Sequence, residues 1–274
     1  MNHDTILDRY LKDKFYGQLI GIWPDQDRFM KYSARLIILV IINISYVAQI
    51  SQVVVFYSFD TLTDQMPFLL IGFAVLLKQY NYILNQNKLR RLLHGIAISW
   101  LTERPKEELE ILEKYTKKAL ILSMIYKAAS AILLFMFMAL PAIPPVLDIV
   151  MPLNESRKRI FIFPSYYFVD EEEYYYPILA HMTMSAFVVA FVFIACDLTL
   201  VHVVQHACAL LVISGCEARW YDGSTKVQAL YILLLRKCLS PTKLTGGGLI
   251  ALNLDSFVQI LKASFSYYTV LKNS

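Results

Sequence analysis

The chain has 274 residues, of which 57% are hydrophobic and 18% charged; its formal net charge is +4 and its mean hydropathy +0.48. Soluble domains carry about 25% charged residues, so this balance excludes an ordinary water-soluble globule and reads as an all-α integral membrane protein. The small basic excess reports topology in such a chain rather than nucleic-acid binding, and Cys196, Cys208, Cys216 and Cys238 lack the paired spacing of a disulfide framework or a metal cluster.

Residues 1–33 read as a cytoplasmic N-terminal segment of mixed charge, with Asp4, Asp8, Arg9, Lys12, Asp13 and Lys14 and no apolar signal-peptide core. Residues 34–216 hold the first four transmembrane helices. Leu36–Phe59 is charge-free over 24 residues and long enough to cross the hydrocarbon. Gln65–Leu77 is a shorter span, with Tyr80 and Tyr82 placed for the interface and Lys78 snorkelling between them. Ala128–Leu147 is the third, in a helix starting near Glu107, and Pro141, Pro144 and Pro145 are expected to end it abruptly. Lys127, beside it, is expected to snorkel or to pair within the bundle. Pro177–Cys196 is the fourth. Its apolar pattern runs on past Asp197, which at roughly 30 Å from Pro177 falls near the inner membrane face. The continuation through Gly215 reads as a cytoplasmic extension of the same helix. Residues 217–243 follow as a cytoplasmic anchor segment. Residues 244–274, entered through a turn at Gly246-Gly247-Gly248, form a last helix that makes about five spans in all.

Lysine and arginine alternate across these connections. Six precede or open the first span, none lies between 57 and 65, nine lie between 78 and 118, and three face six acids between 148 and 176. The positive-inside rule then places the N-terminus in the cytoplasm and the 148–176 loop outside. Asn154-Glu155-Ser156 is a glycosylation sequon in that outer loop. The same loop carries Asp170-Glu171-Glu172-Glu173 ahead of Tyr174-Tyr175-Tyr176. This is either a cation-concentrating ring outside a pore or a solvated acidic turn before an aromatic belt.

In the last helix Ser256, Gln259, Ala263, Ser266, Val270 and Asn273 recur at steps of three and four and share one small, mostly polar face. Such a seam suits a water-filled path, or equally the close packing of two membrane helices. His202 and His206 stand four apart on one helix face, but Val203 occupies the place of a metalloprotease glutamate, so ordinary hydrogen bonding between helices outweighs a metal site. His181 reads the same way. No phosphate loop, G-x-S-x-G or Cys/His cluster is present, so the reading is not an enzyme and calls for no cofactor.

The ending Leu239–Ser274 (LSPTKLTGGGLIALNLDSFVQILKASFSYYTVLKNS) resembles the carboxyl terminus of insect odorant receptors. The shared elements are a proline before the turn, Leu-Thr with glycine following, Leu-x-x-Phe two turns on, and a final Ser-Tyr-Tyr-x-Val-Leu. Trp220-Tyr221 is similar to the start of that family's cytoplasmic seventh-helix segment, and Asp170–Met184 resembles the entrance to the fourth span in receptors of ants, bees and wasps. The resemblance implies a heptahelical chemoreceptor fold with a cytoplasmic N-terminus, here without the fifth and sixth spans, by a real deletion or splice form or as an artefact of gene prediction or residue numbering. It implies an odorant-specific subunit of a ligand-gated, non-selective cation channel, a heterotetramer with a common co-receptor, in the plasma membrane of olfactory neuron dendrites. By position, Val270 would be the hydrophobic gate, with Ser266 and Asn273 as its polar neighbours. Depth in the bilayer would put a small volatile ligand near Leu69, Phe73, Phe135, Met136, Thr183, Met184 and Phe187. A gustatory receptor channel or a non-functional truncated form are the alternatives, and a secondary transporter fits less well because no internal repeat is seen.

Overall fold

The computed structural model describes residues 13–151 and 157–216, with short runs at 224, 245–246, 250–251, 258–259, 262–264, 266 and 269. The chain divides into two compact units, residues 1–209 and 210–274.

Among the described residues, the first unit has first a short helix, α1 (Lys14–Leu19), and a turn at Gly21. Gly21 has φ +70°, and a Cβ there would lie 2.7 Å from the Lys31 carbonyl oxygen, so this reversal requires glycine. The turn drops Ile20 and Ile22 into the core beside Ile38, Ile42, Val75, Val192 and Cys196. Helix α2 (Arg28–Val55) begins where the Asp27 carboxylate accepts from the amides of Phe29 at 3.0 Å and Met30 at 3.3 Å. It starts eight residues ahead of the charge-free run, so Arg28, Lys31 and Arg35 ride on its first two turns. Helix α3 (Phe59–Leu84) is capped by the Ser58 hydroxyl and runs through Pro67 for 26 residues, twice the length of the expected Gln65–Leu77 run. α3 packs along α2 where Gly72 meets the Tyr46 ring; a Cβ at Gly72 would come within 2.9 Å of it.

Helix α4 (Gln86–Leu101) follows after a single turn residue, Asn85. The sequence reading missed this helix, although Leu89, Leu93, Ile96 and Trp100 recur at helical spacing; Leu89, Ile96 and Trp100 are buried. Helix α5 (Lys106–Ala139) contains the third span. The prolines do not end it abruptly. Leu140–Ala142 tightens to a 3-10 turn, and α6 (Ile143–Val150) continues with proline in its first turn, where a missing N–H costs nothing.

Helix α7 (Tyr175–Cys216) is 42 residues long, about 63 Å at 1.5 Å per residue and roughly twice the hydrocarbon thickness. The expected extension past Asp197 is therefore a continuous helix. Four helices among the described residues are long and apolar enough to span a membrane: Arg28–Val55, Phe59–Leu84, Lys106–Val150 and Tyr175–Ser214. The fold is an all-α membrane protein. In the second unit a two-residue antiparallel pair, β1 (Thr245–Gly246) with β2 (Ile250–Ala251), brackets the glycine turn. Residues 245–246 and 250–251 of the expected last helix 244–274 are therefore paired strand rather than helix; residues 258–259, 262–264, 266 and 269 are helical, and its remaining residues lie outside the described residues.

Candidate functional site

The four long helices of the first unit surround a cavity of ≈ 280 Å³. Its wall is built of Ile42, Ser45, Tyr46 and Gln49 from α2, Phe68, Ile71 and Gly72 from α3, Tyr126, Ser130, Leu133, Leu134 and Phe137 from α5, and Ser185, Ala186, Val189, Ala190 and Phe193 from α7. The lining is mainly aliphatic and aromatic, which suits an apolar occupant. One polar corner interrupts it. The Ser185 hydroxyl donates to the Ser45 hydroxyl at 2.9 Å, with both residues buried. Gln49, 7% exposed, brings a side-chain carbonyl oxygen that has no hydrogen-bond partner. A buried acceptor without a donor costs about 1–3 kcal/mol, so this oxygen favours any occupant that can donate to it.

The loop 157–174 closes one end of the cavity through Ile162 and Phe163. It is tied down at several points. The Gln65 amide donates to the Pro164 carbonyl at 3.0 Å, the Tyr166 amide to the Ala48 carbonyl at 3.0 Å, and the Phe163 ring lies 5.8 Å from Phe68. Tyr167, in the loop, and His181 Nδ1 share a hydrogen bond of 2.9 Å, while His181 Nε2 is buried without a partner, so the expected satisfied histidine is only half satisfied. Burial pushes the Tyr167 phenol up to about 12. In the acidic turn, Asp170 accepts from the amides of Glu172 at 2.8 Å and Glu173 at 3.1 Å. Glu172 and Glu173 themselves are exposed. An exposed acidic turn of this kind is compatible with both readings.

The opposite end of the cavity rests on ionic contacts. Tyr126, in the cavity wall, donates to the Asp197 carboxylate at 2.7 Å, and Lys78 pairs with the same carboxylate. The Lys78 ammonium also lies 4.7 Å from the centre of the Phe193 ring, another wall residue. Tyr82 donates to the Cys196 carbonyl at 2.6 Å. Lys78 therefore does not snorkel between interface tyrosines: Asp197 on the facing helix offers a stronger partner, and Tyr82 turns inward. Tyr80 alone is 62% exposed.

A second ionic cluster lies a turn further along α7. Asp13 accepts from Lys127 at 2.8 Å and contacts His202 at 2.8 Å, and Ser123 lies 3.3 Å from the same His202 nitrogen. Burial would raise the Asp13 pKa, but the hydrogen bonds from His202 and Lys127 and their charges hold it below the usual carboxylate value. Lys127 thus pairs within the bundle and His202 bonds between helices, as their positions suggest. Among the described residues no group of three His, Cys, Asp or Glu side chains is placed to hold a metal.

None of the seven ligand positions chosen by depth lines the central cavity. Phe73, Phe135, Met136 and Met184 are more than half exposed, and Phe187 is 37% exposed. Met184 and Phe187 line a separate groove with α1 and the start of α2. Leu69 and Thr183 are half-buried next to the wall residues Phe68 and Ser185. Ser266 is helical and exposed, whereas Val270, Asn273 and Asn154 lie outside the described residues.

Residues 216–265 match the family model described as the 7tm odorant receptor. That segment is similar to odorant receptors. This supports membership of the insect odorant receptor family and a receptor rather than an enzyme. The matched residues contain Trp220-Tyr221, the glycine turn and the first part of the polar seam. No curated protein and no solved structure matches the chain. Within an odorant receptor, an apolar cavity among membrane helices with one hydrogen-bonding corner is the natural candidate for the ligand site.

Proposed function

We propose that the chain is an odorant-binding subunit of a ligand-gated, non-selective cation channel assembled with a common co-receptor in the plasma membrane of olfactory neurons. The observation that carries this reading is the apolar cavity of ≈ 280 Å³ with Gln49 at its polar corner, in a chain with a segment similar to odorant receptors. A small volatile molecule enters the cavity, buries its hydrocarbon against Phe68, Leu134, Phe137 and Val189, and directs a donor at Gln49.

Ligand binding shifts a two-state equilibrium by its differential affinity for the open state. The cavity wall is coupled to the ionic contacts through Tyr126 and Phe193, both of which contact the Lys78–Asp197 pair. A ligand that displaces either ring alters how α3 and α5 are held against α7. The last helix of each subunit lines the pore, with Val270 as the gate that closes by dewetting and Ser266 and Asn273 as its polar neighbours. Asn154 carries the outer-loop glycan.

The test is current recording in cells expressing the chain with the co-receptor. Volatile alcohols evoke cation current, and Val270→Ser raises the basal current. Surface-expressed channels that give no odorant-evoked current over a broad volatile panel, with Val270→Ser leaving the basal current unchanged, would refute the proposal.

A further inference from the structure

We infer that the junction of α2 and α4 is a binding site for the phosphorylated inositol headgroup of an anionic lipid. A hollow of ≈ 420 Å³ lies here, lined by Arg28 and Lys31 of α2, Arg90 of α4 and the segment Pro24–Gln26. Its charge is unbalanced. Arg90 pairs with Asp25 at 2.8 Å, and the same carboxylate lies 3.7 Å from His94. Arg28 and Lys31 have no carboxylate within ion-pair distance among the described residues. Lys31 is only 8% exposed, and its ammonium donates to the Pro24 carbonyl at 3.0 Å. A buried ammonium bonded to a carbonyl, with the nearby Asp25 charge already paired to Arg90, is costly, and an anion in the hollow lowers that cost.

The backbone adds to the same field. Gln86 and Asn87 are the first residues of the 16-residue helix α4 and line the hollow, and Asn85 gives no side-chain cap to that helix end. Arg28 is the first residue of the 28-residue helix α2. The uncapped end of α4 therefore faces the hollow together with the cations, whereas the α2 end is already capped by the Asp27 carboxylate. A bare phosphate would satisfy this field, but the hollow also holds an acceptor. The Gln26 side-chain carbonyl oxygen is buried without a partner, while its amide donates to the Gln18 carbonyl at 2.9 Å. A ligand that brings hydroxyl donors together with phosphate oxygens satisfies Gln26 as well as Lys31, and an inositol phosphate has both. The positive-inside distribution sets this end of α2 on the cytoplasmic side, where anionic lipid is concentrated.

The experiment places the full chain in nanodiscs of phosphatidylcholine and follows Trp fluorescence and thermal stability. The probes are short-chain phosphatidylinositol bisphosphate, soluble inositol trisphosphate, short-chain phosphatidylserine and inorganic phosphate. The inference expects saturable binding of the first two, at least tenfold tighter than the last two. Arg28→Gln, a change at an exposed helix start, weakens phosphatidylinositol bisphosphate about tenfold, and Arg28→Gln/Arg90→Gln abolishes it. Lys117→Gln, on α5, leaves it unchanged. Should the double variant fold poorly, displacement of a fluorescent short-chain phosphoinositide from the native chain by inositol trisphosphate supplies the same reading. Equal affinity for inorganic phosphate would overturn the inositol assignment. No saturable response, or one that survives Arg28→Gln/Arg90→Gln intact, would overturn the site. Odorant-evoked current plays no part in either readout, so this site and the channel proposal fail separately.

Discussion

Asp197→Asn is the sharpest probe of how the bundle is held. The carboxylate takes a charged hydrogen bond from Lys78 on α3 and a second bond, at 2.7 Å, from Tyr126 on α5. Removing one partner of a fully buried ion pair costs about 3–5 kcal/mol. Here the two side chains keep 29% and 28% of their exposure, which places the cost near about 3 kcal/mol or below. The asparagine still accepts from Tyr126, so we expect a loss of about 2 kcal/mol. For a chain of this size that lowers the unfolding midpoint by roughly 4–8 °C. The assay is thermal unfolding of the detergent-solubilised chain, followed as loss of the monodisperse species. The informative step is the return. Lys78→Met/Asp197→Leu removes both charges and keeps the volume, so it should recover most of the loss, short of about 1 kcal/mol for the orphaned Tyr126 hydroxyl. Adding Tyr126→Phe should recover that remainder. If Asp197→Asn leaves the midpoint unchanged, or if the single changes at Lys78 and Asp197 simply add, the pair does not fasten these helices and the reasoning fails.

Gln49→Leu should raise the half-maximal concentration for alcohols roughly fivefold to tenfold, the worth of about one hydrogen bond, and leave donor-free esters unchanged or improved; dose–response currents check it. Gly72→Ala places a Cβ 2.9 Å from Tyr46 and pushes that ring toward the cavity, so bulky agonists should lose potency before small ones in the same recordings. The Asp13 carboxyl has a folded pKa held below its unfolded value by His202 and Lys127. Its contribution is therefore complete above the unfolded value of about 4 and is lost as pH falls through the folded value. Thermal midpoints should drop in that acid window for the native chain. Asp13→Asn should start lower at neutral pH and lose most of that acid dependence.

The spans were legible because a helix crossing hydrocarbon must be long and apolar, and Leu36–Phe59 or Pro177–Cys196 admits little else. Their rotation was not. Depth along the axis points to Phe73, Phe135, Met136 and Met184, and each sits beside a wall residue: Gly72, Leu134, Phe137, Ser185. One residue along a helix is a turn of about 100°, enough to exchange cavity for lipid. In a soluble protein, hydrophobicity would have fixed that angle, because the greasy face turns inward. In a bilayer the greasy face turns outward, and large apolar side chains are as comfortable against lipid as against each other. The missed signal was the opposite one.

Polar residues along the long helices, in the spans and in the extension beyond Asp197, mark the interior of this bundle. Ser45, Gln49, Gln65, Gln79, Ser123, Ser185, His202 and His206 are all buried, while Leu36, Ile37, Ile132, Leu133 and Phe135 are more than half exposed. The reason is energetic: an unpaired hydroxyl or amide in hydrocarbon costs several kcal/mol, so each must face another helix, a loop carbonyl or a cavity. Ser45 finds Ser185, Gln65 finds Pro164, and His202 finds Asp13. Gln49 is the member of this set whose acceptor opens onto the apolar cavity without a partner. Under the proposed function, the rule that closes the bundle around its serines and glutamines would also select the ligand. A molecule that enters must be mostly hydrocarbon to suit the wall, yet carry a donor to complete the one bond the fold leaves unmade there.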